Sequence, residues 1–396
     1  MAKSYGHTYE RICDLDNIRA AIRSAAKGKR KKRSVRRALA NEDATVEQIH
    51  DILVNHKPYL GEFRRGHEIN DGLRAKKRII IHPTFTEQII DHCIMQVIEP
   101  HYMRKFYRWS CGSIPGRGQE SMMAYVMKMV RASRKDTKYY AVLDVKKCFD
   151  SIDTDALYDE IASVERDKET LALIKYKLKA NVVKLPSGEM RSGGVTIGTY
   201  TSPWLANIAL DGVDHCIKDK HGIYLYVRFM DDMLMVHGNK REMKRAIADA
   251  TAELKRFGLQ WKTKPVIRKC VDGDMGKVRF CGVQITRDEM EIRDAVFLRA
   301  RRTANRIYKK LKENLRVTWY DAAKMISYGG RFGAFESRNA FSKQVLGNRL
   351  SFFGFRAKLS FHNRMEAANG TTPIEDSPAE ETVNSKGKEQ EDVHEV

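Results

Sequence analysis

Apolar residues along this chain fall into two distinct rhythms. Residues 85–107 place Ile89, Ile90, Cys93, Ile94, Val97 and Ile98 at steps of three and four, which predicts a helix with one buried face. Residues 138–144 form a short apolar run ending on an acid, the pattern of a buried strand. Residues 223–237 read as two further strands joined at Asp231–Asp232. An amphipathic helix is predicted over 240–257, closed by Gly258. Beyond it come a hairpin near 278–292 and a mostly helical, strongly basic stretch over 297–355. No internal repeat is present. Short strands interspersed with helices predict an α+β fold.

Composition narrows the class. Apolar residues are 42% and charged residues 31% of the 396, the profile of a folded, soluble protein. Lys plus Arg number 72 against 51 acids, a formal net charge of +21, and nucleic acid is the commonest polyanion that balances such an excess. The charge is uneven. Nine Lys or Arg lie between Arg23 and Arg37 without an intervening acid, a run suited to docking on RNA. Residues 366–396 carry nine acids, two lysines and almost no large apolar side chain, which predicts a disordered acidic tail.

The seven cysteines are scattered, with no Cys-x-x-Cys pair, so reduced thiols are expected in place of a disulfide framework or zinc ribbon. His215, Cys216 and His237 lack partners at zinc spacing. Trp204 reads as a packing residue. The N-terminus has no apolar leader and no 18-residue apolar run occurs, so a cytoplasmic protein without a membrane partner is expected.

Asp231 and Asp232 stand between two apolar runs, where carboxylates are costly unless donors or cations neutralise them. A hairpin turn alone would account for the pair, since Asp is a common turn residue. The second apolar strand, which also ends on an acid at Asp144, weakens that explanation. Strands that deliver carboxylates to one end supply the hard oxygen ligands that suit Mg²⁺.

At these residues the chain resembles the reverse transcriptases. Phe229-Met230-Asp231-Asp232 is similar to their Tyr-x-Asp-Asp box with Phe for Tyr, and the strand to Asp144 with Val145–Asp153 resembles their first catalytic motif. In matching order, Lys77-Arg78-Ile79-Ile80-Ile81-His82-Pro83 resembles the basic fingers strand. Ser110–Arg117 resembles the Ser-x-Gly-x-Arg-Pro-Gly-Arg segment. Ile197-Gly198-Thr199-Tyr200-Thr201-Ser202-Pro203 resembles Gln-Gly-x-x-x-Ser-Pro, with Ile for Gln. Phe257-Gly258-Leu259 followed by Lys262 and Lys264 resembles the motif that supplies a lysine near pyrophosphate, and Phe280-Cys281-Gly282-Val283 resembles the primer grip.

The resemblance implies a right-hand polymerase fold: a basic extension over 1–69, fingers and palm over 70–290, and a helical thumb over 291–365, ahead of the acidic tail 366–396. It implies an RNA-directed DNA polymerase that extends a DNA or RNA primer on an RNA template from deoxynucleoside triphosphates. Asp144, Asp231, Asp232 and the Val145 carbonyl would hold two Mg²⁺ ions, with Mn²⁺ as a substitute. Arg78, with Lys77 as second choice, would clamp the triphosphate. Gly198 would border the nucleotide. Lys264 would serve the departing pyrophosphate, with Lys262 in competition. Phe149, five residues after Asp144, would collide with a 2′-hydroxyl and select deoxynucleotides. Met230 and Phe149 speak against the RNA-copying RNA polymerases, whose box is usually Gly-Asp-Asp. Arg117, Phe280, Gly282 and the thumb residues Arg301 and Arg302 would contact nucleic acid.

Some 40 residues follow Phe355, which favours the compact bacterial and phage enzymes over intron proteins with further domains. Phage defence is the expected role, and diversity-generating retroelements the alternative, for which Pro203 departs from the usual Gln. A structured non-coding RNA or a small accessory protein would be a further partner. The competing class is a non-catalytic RNA-binding protein on a polymerase scaffold, which predicts a lost carboxylate.

Overall fold

Helices open the chain where the sequence suggested only a basic extension: α1 (Thr8–Cys13), α2 (Leu15–Ala26), α3 (Arg33–Ala40) and α4 (Glu42–Val54). Asp14 caps α2 by accepting from the Asn17 amide at 2.9 Å, and Ile18, Ala21, Ile22 and Ala25 form its fully buried stripe. In the computed structural model, residues 5–71, 76–270, 278–335, 341–347 and 349–369 are described. The expected acidic tail lies outside them from residue 370 onward.

Strands β1 (Arg64–Asp71) and β2 (Lys76–Ile81) pair antiparallel. Helix α5 (Phe85–Met103) follows, capped by Thr84, whose hydroxyl accepts from the Glu87 amide at 3.1 Å. All six apolar positions expected on its inner face are buried, and α2 packs along it. The helix stops at Met103, short of residue 107.

Next come α6 (Gln119–Ala132), β3 (Tyr139–Asp144), α7 (Cys148–Ser151), α8 (Thr154–Val164), α9 (Lys168–Lys179), the short β4 (Val183–Lys184) and β5 (Met190–Arg191), and α10 (Ser202–His215). A π-helical turn (Cys216–Lys220) leads to β6 (Leu225–Phe229), β7 (Asp232–His237) and α11 (Lys240–Arg256). Asn239 caps α11, accepting from the Arg241 amide at 2.9 Å, and the chain leaves it through Gly258 at φ +67°, the left-handed stop its position predicts.

The central sheet has strand order β6-β7-β3-β8, with β8 spanning Arg268–Lys269. Both of its faces are covered, so alternate side chains enter two different cores. Ala141, Leu143, Tyr226, Met233 and Met235 join the core shared with α5, α8, α10 and α11. Leu225, Val227, Leu234 and Val236 join a second core with α6 and the C-terminal elements.

The hairpin expected near 278–292 is a three-stranded sheet of β9 (Val278–Phe280), β10 (Val283–Ile285) and β11 (Met290–Ile292). The basic stretch resolves into α12 (Asp294–Lys312), α13 (Trp319–Phe335), a π-helical segment (Phe341–Leu346) and α14 (Phe352–Asn369). Helix α14 continues past residue 366, into the segment expected to be tail. Val296, Ala300, Ala304 and Ile307 turn inward on α12, while Arg301, Arg302 and Arg306 face solvent. No described helix is long and apolar enough to cross a membrane.

Candidate active site

Sheet register assembles the three carboxylates. Asp144, the last residue of β3, pairs across from Asp232, the first residue of β7. Phe229 pairs with the same Asp232, so β6 and β7 are joined by Met230 and Asp231 alone. The junction therefore sits one residue earlier than the Asp231–Asp232 step expected from the pattern. Two-residue hairpins need left-handed backbone and favour Gly or Asn; here Met230 adopts it at φ +55°. The Val145 amide donates to the Asp231 carbonyl at 3.2 Å, tying the turn to the end of β3.

The electrostatics of this corner suit a cation. Burial, and then the nearby Asp144 carboxylate, push the Asp231 carboxyl up from its ordinary range, while Arg78 and Lys262 act to lower it. Lys262 places its ammonium on Asp144 Oδ2, and its amide donates to the Asp144 carbonyl at 2.8 Å. Clustered carboxylates that recruit an ammonium are an oxygen donor set that fits Mg²⁺ or Mn²⁺.

The structure separates residues that sequence left in competition. Lys77 pairs with Glu68 at 2.8 Å, whereas Arg78, one residue on along β2, is the cation whose field reaches Asp231. Lys262, not Lys264, meets Asp144; Lys264 lies exposed two residues further on. The reason is the bridge between Val145 and Trp261, which brings residue 262 against β3.

Phe149 sits half-buried against the first core, and its carbonyl accepts from the Val195 amide at 2.7 Å. That contact lays the 194–198 loop on the first catalytic motif. Gly198, at φ +122°, has no room for a Cβ beside the Ile81 carbonyl, so its place is set by backbone packing on β2.

The residues expected to contact nucleic acid fall in different surroundings. Arg117 is buried and donates to the Tyr107 carbonyl at 2.7 Å and to the Phe106 and Met103 carbonyls at 3.4 Å. It ties the last residue of α5 to the segment that follows and is turned away from solvent. Phe280 is buried in the second core. Gly282, at φ +80°, lies against the Arg331 guanidinium, which donates to the Cys281 carbonyl at 2.7 Å. Arg301 and Arg302 are exposed on α12, and Trp204 packs on Phe106 at 5.5 Å as a core residue.

Cys216 does gain neighbours in space, His221 and Asp249. They are already satisfied: His221 lies between Glu242 at 2.7 Å and Asp249 at 2.9 Å, and Lys220 pairs with Asp249 at 2.6 Å.

Sequence reasoning missed Arg228. This arginine in the middle of β6 has no exposed surface. It forks onto Asp214 of α10, with Nε at 2.8 Å from Oδ1 and Nη2 at 2.6 Å from Oδ2. Tyr226 also donates to Asp214, at 2.7 Å. The signal was available: an arginine inside an apolar strand and Asp214 inside an apolar helix each require a buried partner.

Residues 67–285 match the family described as "Reverse transcriptase (RNA-dependent DNA polymerase)". The chain is 22% identical over 336 residues to an uncharacterized 91 kDa protein in a cob intron of Schizosaccharomyces pombe, covering 68% of this chain and 41% of that protein. It is 26% identical over 186 residues to the group II intron-encoded protein LtrA of Lactococcus lactis, covering 47% of this chain and 30% of LtrA. This chain thus spans well under half the length of these relatives. Both relatives are intron proteins, whereas the sequence reading favoured the compact bacterial and phage enzymes. Among solved structures, apo telomerase from Candida tropicalis is similar with 18% identity and a TM-score of 0.44, over 62% of this chain and 59% of that one.

Proposed function

Because this chain belongs to the reverse transcriptase (RNA-dependent DNA polymerase) family, we propose that it extends a DNA or RNA primer on an RNA template, using deoxynucleoside triphosphates. Residues 70–290 would be fingers and palm, and 291–365 the thumb. The observation that supports this reading most is the register of β3 on β7, which gathers Asp144, Asp231 and Asp232 at one corner with Arg78 and Lys262 in their field. Asp144, Asp231, Asp232 and the Val145 carbonyl would hold two divalent ions. Such ions, when bound, activate a primer hydroxyl and stabilise the leaving phosphate.

The chain's own residues do the rest. Arg78 offers a planar fork to triphosphate oxygens. Lys262, which pairs with Asp144, would supply charge and a proton to the departing pyrophosphate. The intron-encoded relatives favour a retroelement enzyme acting on a structured RNA over a role in phage defence. A primer-extension assay with Mg²⁺, an RNA template and deoxynucleotides tests the proposal. Template-directed DNA product supports it, and none from folded protein overturns it.

Two further outcomes follow from the geometry. Lys262→Ala should lower kcat by roughly 100-fold, the lower end of proton-transfer contributions, while Lys264→Ala should leave it within a few-fold. Equal losses in the two variants would reject the assignment.

The basic run is the second case. Arg23 is held by Glu42 at 3.0 Å and Lys29 by Gln88 at 2.5 Å, but Arg30, Lys31 and Lys32 are exposed. Replacing these three with Gln should flatten the slope of log K against log salt by roughly 0.7 per lost phosphate contact on single-stranded RNA. An unchanged slope in filter-binding titrations would show that the run does not touch RNA.

A further inference from the structure

The Met230–Asp231 turn is held from two sides by groups outside the carboxylate cluster. From beneath, Arg228 Nη1 donates to the Met230 carbonyl at 3.2 Å and to Asn207 Oδ1 at 2.8 Å. Its remaining donors are committed to Asp214 and, at 3.3 Å, to Ser110 Oγ. The guanidinium therefore cannot rotate away without abandoning a buried carboxylate. From the side, Asn207 donates its other amide end to the Gly112 carbonyl at 2.9 Å. A Cβ on Gly112 would lie 2.5 Å from the Met230 backbone nitrogen and side chain, so only glycine leaves room for the turn. Met230 has a left-handed backbone that a side-chain-bearing residue adopts at a cost, and such strain persists where surroundings over-determine it.

We propose that Arg228 is a positioning residue. Locked by Asp214 and Asn207, it fixes the Met230 carbonyl and thereby the turn that brings Asp231 beside Asp144, with Gly112 as the second jaw of the clamp. The proposal rests on the reading of Asp231 as a metal ligand. A purely stabilising role would not require this arginine, because a buried ion pair can often be exchanged for apolar residues without loss of stability. A directional donor onto one carbonyl cannot be exchanged in that way.

The test is Mn²⁺ binding to the full chain without nucleotide or template, followed by electron paramagnetic resonance, alongside thermal melting and Mg²⁺ titration of primer extension. Gly112→Ala keeps every side chain of the Arg228 network and presses on the turn itself. Arg228→Met combined with Asp214→Asn removes the donor without stranding a charge. Each should weaken Mn²⁺ binding about 10-fold or more, as outer-shell partners of metal ligands do, and raise the half-saturating Mg²⁺ in step. Arg228→Lys, which keeps the charge but not the fork, should fall between them and wild type. Asp231→Asn separates the two levels of the argument. If it binds Mn²⁺ as wild type does, the metal reading fails and the proposal with it. If Asp231→Asn loses Mn²⁺ but a cooperatively melting Gly112→Ala binds at wild-type affinity, the clamp is overturned and the metal reading stands. Should the double variant fail to fold, Gly112→Ala alone decides.

Discussion

Asp231→Asn should polymerise roughly a thousandfold more slowly than wild type while folding at least as well. The kinetic loss follows from removing one negative charge from a site that must hold cations. A metal's stabilisation of the transition state amounts to several kcal/mol, and about 4 kcal/mol corresponds to a factor of about a thousand. The stability expectation has the opposite sign. Burial and Asp144 raise the Asp231 carboxyl above its unfolded value, so at neutral pH and without metal its ionised form weakens the fold. An uncharged isostere removes that repulsion. Single-turnover extension and a metal-free melt, measured on one preparation, check both halves. Wild-type rates from Asp231→Asn would reject the site, and a steep drop in melting temperature would reject its electrostatics.

Phe149→Val should admit ribonucleotides. The ring lies half-buried within the segment that resembles the first catalytic motif, and its backbone is independently fixed by the Val195 amide, so truncation leaves the local chain path in place. Steric discrimination in an apolar pocket is worth roughly 10- to 200-fold, and most of it should vanish from the ratio of kcat/KM for the two sugars. Loss of ring packing should cost about 1–3 kcal/mol of stability, less than a fully buried phenylalanine would. If Phe149 only fills the core, both substrates should slow equally. An unchanged ratio in a folded, active Phe149→Val would remove the residue from the pocket and reopen the RNA-copying alternative.

Much of the palm could be read directly from the sequence, because its determinants are local. Strand β3 and the pair β6–β7 are apolar runs with their own termini, α11 begins at an Asn cap and ends at a glycine, and α5 shows its buried face in the spacing of six residues. The motif order was equally visible, and it located the three carboxylates before any register was known. Helices α1 to α4 were not recognised. The stripe Ile18, Ala21, Ile22 and Ala25 was present, but the basic run beside it dominated the composition.

Side-chain roles that depend on distant partners were decided only by the tertiary structure. Arg117 was expected to contact nucleic acid, yet the Met103 carbonyl that ends α5 and the Phe106 and Tyr107 carbonyls just after it take up its donors. The choice of Lys262 over Lys264 depends on a bridge to Val145, 116 positions back along the chain, that no spacing rule encodes. Arg228 is the clearest case. Its sequence neighbourhood says only that a buried charge needs a partner. Which partner it finds, and that its last donor falls on the carbonyl before Asp231, depends on how α10 and the 110–112 loop meet β6. Periodicity, caps and motif spacing act over a few residues and are written into the chain. The direction of a guanidinium's hydrogen bonds is set by groups that only folding brings within hydrogen-bond reach.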